Sequence, residues 1–108
     1  MTGAVVIGGH VQGLSIIRSL GRQDIPVVLI DSTNISIGRF SRYCEQFIPI
    51  GYTENEEKIA RKLEQIGRAH DLEGWLLFPT NDLYVSAISK YFDRLSRISL
   101  LAAGYEED

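Results

Sequence analysis

A single cysteine, Cys44, stands in these 108 residues, so no internal disulfide can form, and the chain suits a reducing compartment; a cytoplasmic location is expected. No apolar run approaches the 18 residues of a membrane span, and no basic segment is followed by an apolar one, so neither a membrane nor a secretory role is expected. The net charge of −3 lacks the basic excess that nucleic-acid binding exploits. Internal repeats and low-complexity stretches are missing too. The two histidines, His10 and His70, are 60 residues apart, and with one cysteine they do not make the spacing of a zinc site. No Ser-His-Asp arrangement can be argued, so the chain shows no complete catalytic apparatus and no catalytic residue is assigned.

What is present begins at Gly3. Ala4–Ile7 reads as a buried strand, and Gly8-Gly9-His10-Val11-Gln12-Gly13 as a turn leading directly into an apolar helix. Two absences mark this turn. A dinucleotide fingerprint G-x-G-x-x-G would need glycine where His10 stands, and that middle glycine lets a pyrophosphate approach bare backbone. A Walker A loop over Gly8 to Ser15 would need lysine where Leu14 stands. The frame of a nucleotide-binding fold is there without either common phosphate-binding chemistry.

Apolar residues Val11, Leu14, Ile17 and Leu20 place a helix over residues 11–20, with Gly21 as its stop. Val27–Ile30 is branched and continuous, as a central parallel strand requires. Residues 32–44 read as a polar loop with one helical turn, and Gln46–Ile50 as a short strand. Thr53 or Asn55 caps a second helix with the stripe Ile59, Leu63, Ile66. Trp75–Phe78 is a fourth strand. A third helix carries Tyr84, Ala87, Ile88, Tyr91, Phe92 and Leu95, and Ser99–Leu101 is a candidate fifth strand. The alternation predicts an α/β, Rossmann-like three-layer domain over residues 1–108, its parallel sheet of four or five strands ordered 3-2-1-4(-5).

Such sheets bind ligands at the carboxyl ends of their strands, near the switch between the first and fourth. Gly8–Gly13, the loop after Asp31, and Pro79–Asp82 are expected to meet there. Gly8, Gly9 and Gly13 either form an anion-facing turn at a helix N-terminus or serve close packing. His10 either donates to an anion or lies exposed. Asp31 stands where an acidic residue would grip a ribose, or else caps the next turn. Arg39 and Arg42 bracket Ser41 and could converge on a carboxylate or phosphate, or be ordinary loop charges. Thr80, Asn81 and Asp82 could bind ligand hydroxyls or carboxylates, or cap a helix. Cys44 reads as a small hydrophobe. Ile35, Ile37 and Phe40 are apolar residues in a polar loop, which predicts either a patch that seeks a partner or packing onto the domain's own core.

Five segments carry a resemblance: Val5–Gly9, Gly13–Gly21, Ile25–Val27, Ser41–Cys44 and Leu77–Asp82. In this order they resemble the start of ATP-grasp ligases, of the carbamoyl-phosphate-synthase-like and D-aspartate-ligase-like subgroup. The resemblance implies a pre-ATP-grasp domain that helps to hold the acceptor substrate, a small carboxylate or amine. In that family a carboxylate is activated with MgATP and passed to an amine, and the ATP and Mg²⁺ ligands lie in a later ATP-grasp domain. The resemblance therefore implies a piece of a longer chain, with MgATP in the whole enzyme, no cofactor in this segment, and no activity by itself. After Leu95 the sequence departs from the family's pattern. Homo-oligomerisation is compatible with this reading. The rival readings are a small NAD- or nucleotide-binding regulatory module, with Asp31 on the ribose, and a non-catalytic interaction domain.

Overall fold

The computed structural model describes residues 3–33, 37–72, 74–97 and 101–102. Strands β1 (Ala4–Ile7), β2 (Val27–Asp31), β3 (Cys44–Pro49), β4 (Leu76–Pro79) and β5 (Leu101–Ala102) form one parallel sheet in the order β3-β2-β1-β4-β5. The register pairs Val5 with Val28 on one side and with Leu77 on the other. The expected Rossmann-like order is the observed one. Helices α1 (Val11–Gly21), α2 (Glu56–Ala69), α3 (Asp82–Lys90) and α4 (Phe92–Arg97) complete the layers, and a single 3₁₀ turn spans Ile37–Phe40. The helices of the described residues are too short or too polar to cross a membrane.

Alternate strand residues face opposite layers. Val5, Ile7, Val28 and Ile30 pack with Ile59, Leu63, Ala87 and Ile88 under α2 and α3. Val6, Val27 and Leu29 pack with Ile17 under α1. Both faces of β1 and β2 are therefore buried, which is why those strands read as unbroken apolar runs. Each fully buried side chain of this kind contributes about 1.5–3 kcal/mol relative to exposure.

Helix α1 departs from its sequence reading. Its buried residues are Gly13, Ile17 and Gly21, whereas Val11, assigned to the core stripe, is 76% exposed. The helix makes its closest approaches through its glycines, Gly13 against the Gly8 carbonyl and Gly21 against Tyr43. The helix ends at Gly21 as expected, but without a glycine's positive φ: a Cβ there would overlap Tyr43, so this residue is small for close packing. The helix is closed further on by Asp24, at φ +62°, whose N–H donates to the Gly21 carbonyl at 3.0 Å.

Other boundaries shift by smaller amounts. β3 begins at Cys44, ahead of the expected Gln46, and β4 runs Leu76–Pro79. Asn55 caps α2 by accepting the Lys58 N–H at 3.0 Å. The single third helix is two, broken at Tyr91 (φ −111°, ψ +28°). There Arg94 Nη2 reaches Glu64 Oε1 at 2.8 Å and fastens α4 to α2. The tail 103–108 and Ile35 lie outside the described residues.

Candidate functional site

The turn between β1 and α1 is held from both sides. Gly8 adopts φ +103°, a conformation that disfavours any side chain, and a Cβ there would overlap the Thr80 hydroxyl. Its N–H donates to the Ile30 carbonyl at 2.8 Å. On the β4 side, Thr80 donates its N–H to the Ile7 carbonyl at 3.1 Å and its hydroxyl to the same oxygen at 2.7 Å. On the β2 side, Asp31 accepts the Gly9 N–H at 2.8 Å on Oδ2 and the Ser32 N–H at 2.7 Å on Oδ1. Gly9 in turn accepts the Gly38 N–H at 2.7 Å, which brings the 3₁₀ turn against it.

Helix α1 starts just beyond. The first bond of the helix runs from the Leu14 N–H to the His10 carbonyl, 2.8 Å. His10 is the N-cap residue but its side chain makes no capping bond and is exposed. The N–H groups of Val11, Gln12 and Gly13 therefore have no acceptor within the helix, and all three residues line a cleft of about 430 Å³. A positive dipole end and open donors make this mouth suited to an anionic group.

Opposite them, Thr80 and Asn81 come from the end of β4, and Tyr52 and Thr53 from the loop after β3. Asn81 spends its side-chain oxygen on the Tyr84 N–H, 3.0 Å, as the cap of α3. Tyr84 closes the floor. Burial, with the Asp31 carboxylate adding to it, pushes its phenol above the usual range, so it stays a neutral hydroxyl. Tyr52 is 70% exposed at the rim and donates to Glu54 Oε2 at 2.5 Å, a bond that raises its phenol as well.

Of the residues singled out in the sequence, Gly8, His10, Gly13, Asp31, Thr80 and Asn81 meet on this cleft. Gly9 is adjacent but buried, its N–H turned to Asp31. Asp82 is exposed in the first turn of α3 and does not line the cleft. Arg42 lies elsewhere, beside Arg18 and Arg22. Arg39 does not converge with it: its guanidinium sits 5.3 Å from the Phe40 ring centre and 4.9 Å from that of Phe47. Cys44 is half-buried, and burial pushes its thiol up, away from the thiolate that a nucleophile needs.

Sequence reasoning missed Tyr52 and Thr53. The signal was available: the rule that placed the loops after β1, β2 and β4 at one end of the sheet places the loop after β3 there too. Tyr84 was read only as core, because helical spacing does not reveal which end of an apolar ring meets a cavity.

Fold and cleft together define a doubly wound α/β domain with an open cleft at the switch point between β1 and β4, the place where such sheets commonly take ligands. The chain matches no protein-family model and no curated protein.

Proposed function

We propose that this chain is the substrate-side, pre-ATP-grasp domain of an ATP-dependent carboxylate–amine ligase, holding a small carboxylate or amine substrate while a further domain performs the MgATP chemistry. The observation that carries the reading is the meeting of three of the resembling segments on one cleft: Gly8 ends the first, Gly13 begins the second, and Thr80 and Asn81 come from Leu77–Asp82. Between the first two, Val11, Gln12 and Gly13 offer backbone N–H groups with no acceptor within the helix, and Thr80 and Asn81 lie across from them. A carboxylate seated there would accept the N–H groups of Val11, Gln12 and Gly13, with His10 and Tyr52 at the rim.

The cleft does not fit MgATP itself. Among the described residues no lysine or arginine lines it to take a triphosphate, and the one carboxylate that does, Asp31, is 5% exposed and already accepts two backbone N–H groups. The same commitment of Asp31 weighs against the rival nucleotide-binding reading, which needs that carboxylate for a ribose. No catalytic step is therefore assigned to the residues of this chain.

Two measurements test the proposal. The reading frame downstream of Asp108 is expected to encode an ATP-grasp domain, and its whole product to release ADP when given MgATP, a carboxylic acid and an amine. A frame that closes at Asp108 overturns the reading. In the chain alone, amino acids are expected to shift the amide resonances of residues 8–13 and 80–81 at millimolar concentration, whereas MgATP alone leaves them in place.

A further inference from the structure

Outside the cleft, the last turn of α1 carries Arg18, Arg22 follows directly after the helix, and the segment before β3 brings Arg42 to the same place. The three arginines share a depression of about 400 Å³ with Phe40, Ser41 and Tyr43, and none of these residues lines the cleft. Tyr43 is set against the α1 backbone, where a Cβ on Gly21 would overlap it. Arg42 Nη2 donates to the Tyr43 hydroxyl at 2.8 Å, which fixes one guanidinium against that ring. Among the described residues the ion pairs are Arg61–Glu57, Lys90–Glu56 and Arg94–Glu64, so no described carboxylate lies at ion-pair distance from Arg18, Arg22 or Arg42. The positive field is felt locally: Arg42 first, with Arg22 adding to it, holds the Tyr43 phenol below the usual range.

Three like charges gathered with no described carboxylate at ion-pair distance repel one another and attract an anion, the negative end of the α1 dipole offsetting only about half a charge. The charged lining consists of guanidinium donors alone, planar forks suited to paired oxygens. A phosphate can meet three of them with separate oxygens, and its double charge is answered better than a carboxylate's single one. Phe40, 76% exposed beside the arginines, offers an apolar face to whatever the phosphate is attached to. The volume suits a small molecule.

We infer that the Arg18–Arg22–Arg42 depression is a second binding site, for the phosphate group of a small phosphorylated molecule. It does not rest on the ligase reading. The net charge of −3 on the chain opposes the long phosphate backbone of a nucleic acid as the occupant.

The test is an amide-resonance titration of the chain with inorganic phosphate and pyrophosphate, with acetate and a short single-stranded oligonucleotide as further arms at matched ionic strength. Saturable shifts at residues 18, 22 and 41–43 are expected, with pyrophosphate binding at least tenfold more tightly than acetate. Arg18→Gln with Arg42→Gln should weaken pyrophosphate at least tenfold, and Arg22→Gln alone severalfold, without moving the thermal midpoint. Shifts that do not saturate, equal response to acetate, or shifts confined to residues 8–13 overturn the inference. Tighter binding of the oligonucleotide than of pyrophosphate overturns the small-molecule assignment. Failure of this titration leaves the response of residues 8–13 to amino acids untouched, so the two readings fail separately.

Discussion

Asp31 accepts the backbone N–H of Gly9, 22 residues earlier, at 2.8 Å inside the protein, and so ties the end of β2 to the turn that opens α1. Removing the carboxylate leaves that buried N–H without an acceptor. Asp31→Ala should cost about 2–3 kcal/mol in urea denaturation, the scale of a lost charge-assisted bond with an orphaned partner. Asp31→Asn keeps one acceptor oxygen and should cost less. Equal stability of Asp31→Ala and the parent would show that the tie contributes nothing.

Gly13 meets backbone, and Gly21 meets a side chain. A Cβ on Gly13 would overlap the Gly8 carbonyl oxygen, which cannot move without disturbing the turn. Gly13→Ala should therefore cost about 3 kcal/mol, at or above the usual overpacking range. Gly21→Ala meets the Tyr43 Cβ and the root of its ring, which turning the ring does not clear, so the segment before β3 must shift; alanine offsets part of that cost with about 1 kcal/mol of helix propensity. Thermal unfolding of the two variants should rank Gly13→Ala as the more damaging; the reverse order would refute the distinction.

Glu56 joins α2 to α3. It accepts the Ser86 hydroxyl at 2.6 Å and lies 3.2 Å from the Lys90 ammonium, and these bonds, Ser86 first, hold its carboxyl below the ordinary glutamate value. A lowered folded value means that the ionised form is bound more tightly by the native state. The contribution is present above the unfolded pKa and fades as pH falls through the folded one. Glu56→Gln should lose stability at neutral pH and converge with the parent in acid. A difference independent of pH would contradict the assignment.

NADH should not bind at micromolar concentration. His10 places a side chain where the pyrophosphate needs bare backbone, and Asp31 is spent on two amides. Fluorescence titration reads this directly, and saturable micromolar binding would revive the nucleotide-module reading.

Phe40 is the one member of the Ile35, Ile37 and Phe40 group whose side chain is described, and it is exposed. Phe40→Ser should leave folding stability within about 0.5 kcal/mol, the range for surface changes. If the parent self-associates at rising concentration in sedimentation, the variant should do so less. A variant that associates as strongly clears Phe40 of the role.

The strand order was legible because β1 and β2 are apolar on both faces, a pattern that only the middle of a parallel sheet requires. The face of α1 was not. Counting large apolar residues selects Val11, whereas the contact is made through Gly13 and Gly21, where the decisive feature is an absent side chain. Gly21 does end the helix, but its packing role is hidden in the sequence, because its partner, Tyr43, is 22 residues away and local pattern carries no distance. The site was read in the same proportion. Loops that follow strands were placed correctly by topology, but Arg42, which precedes β3, was assigned to the wrong end of it.

β1 is first in the chain yet central in the sheet, pairing with Val27–Ile30 on one edge and Leu76–Pro79 on the other. During synthesis it leaves the ribosome as a short greasy ribbon with neither neighbour available, and its second partner arrives only after most of the domain has been made. The first half of the domain can join β3, β2 and β1, but it leaves the β4 edge of β1 open. Nascent chains halted before residue 79 should therefore depend on holding factors, and protease nicking in the first half should release the whole domain at once rather than trim it.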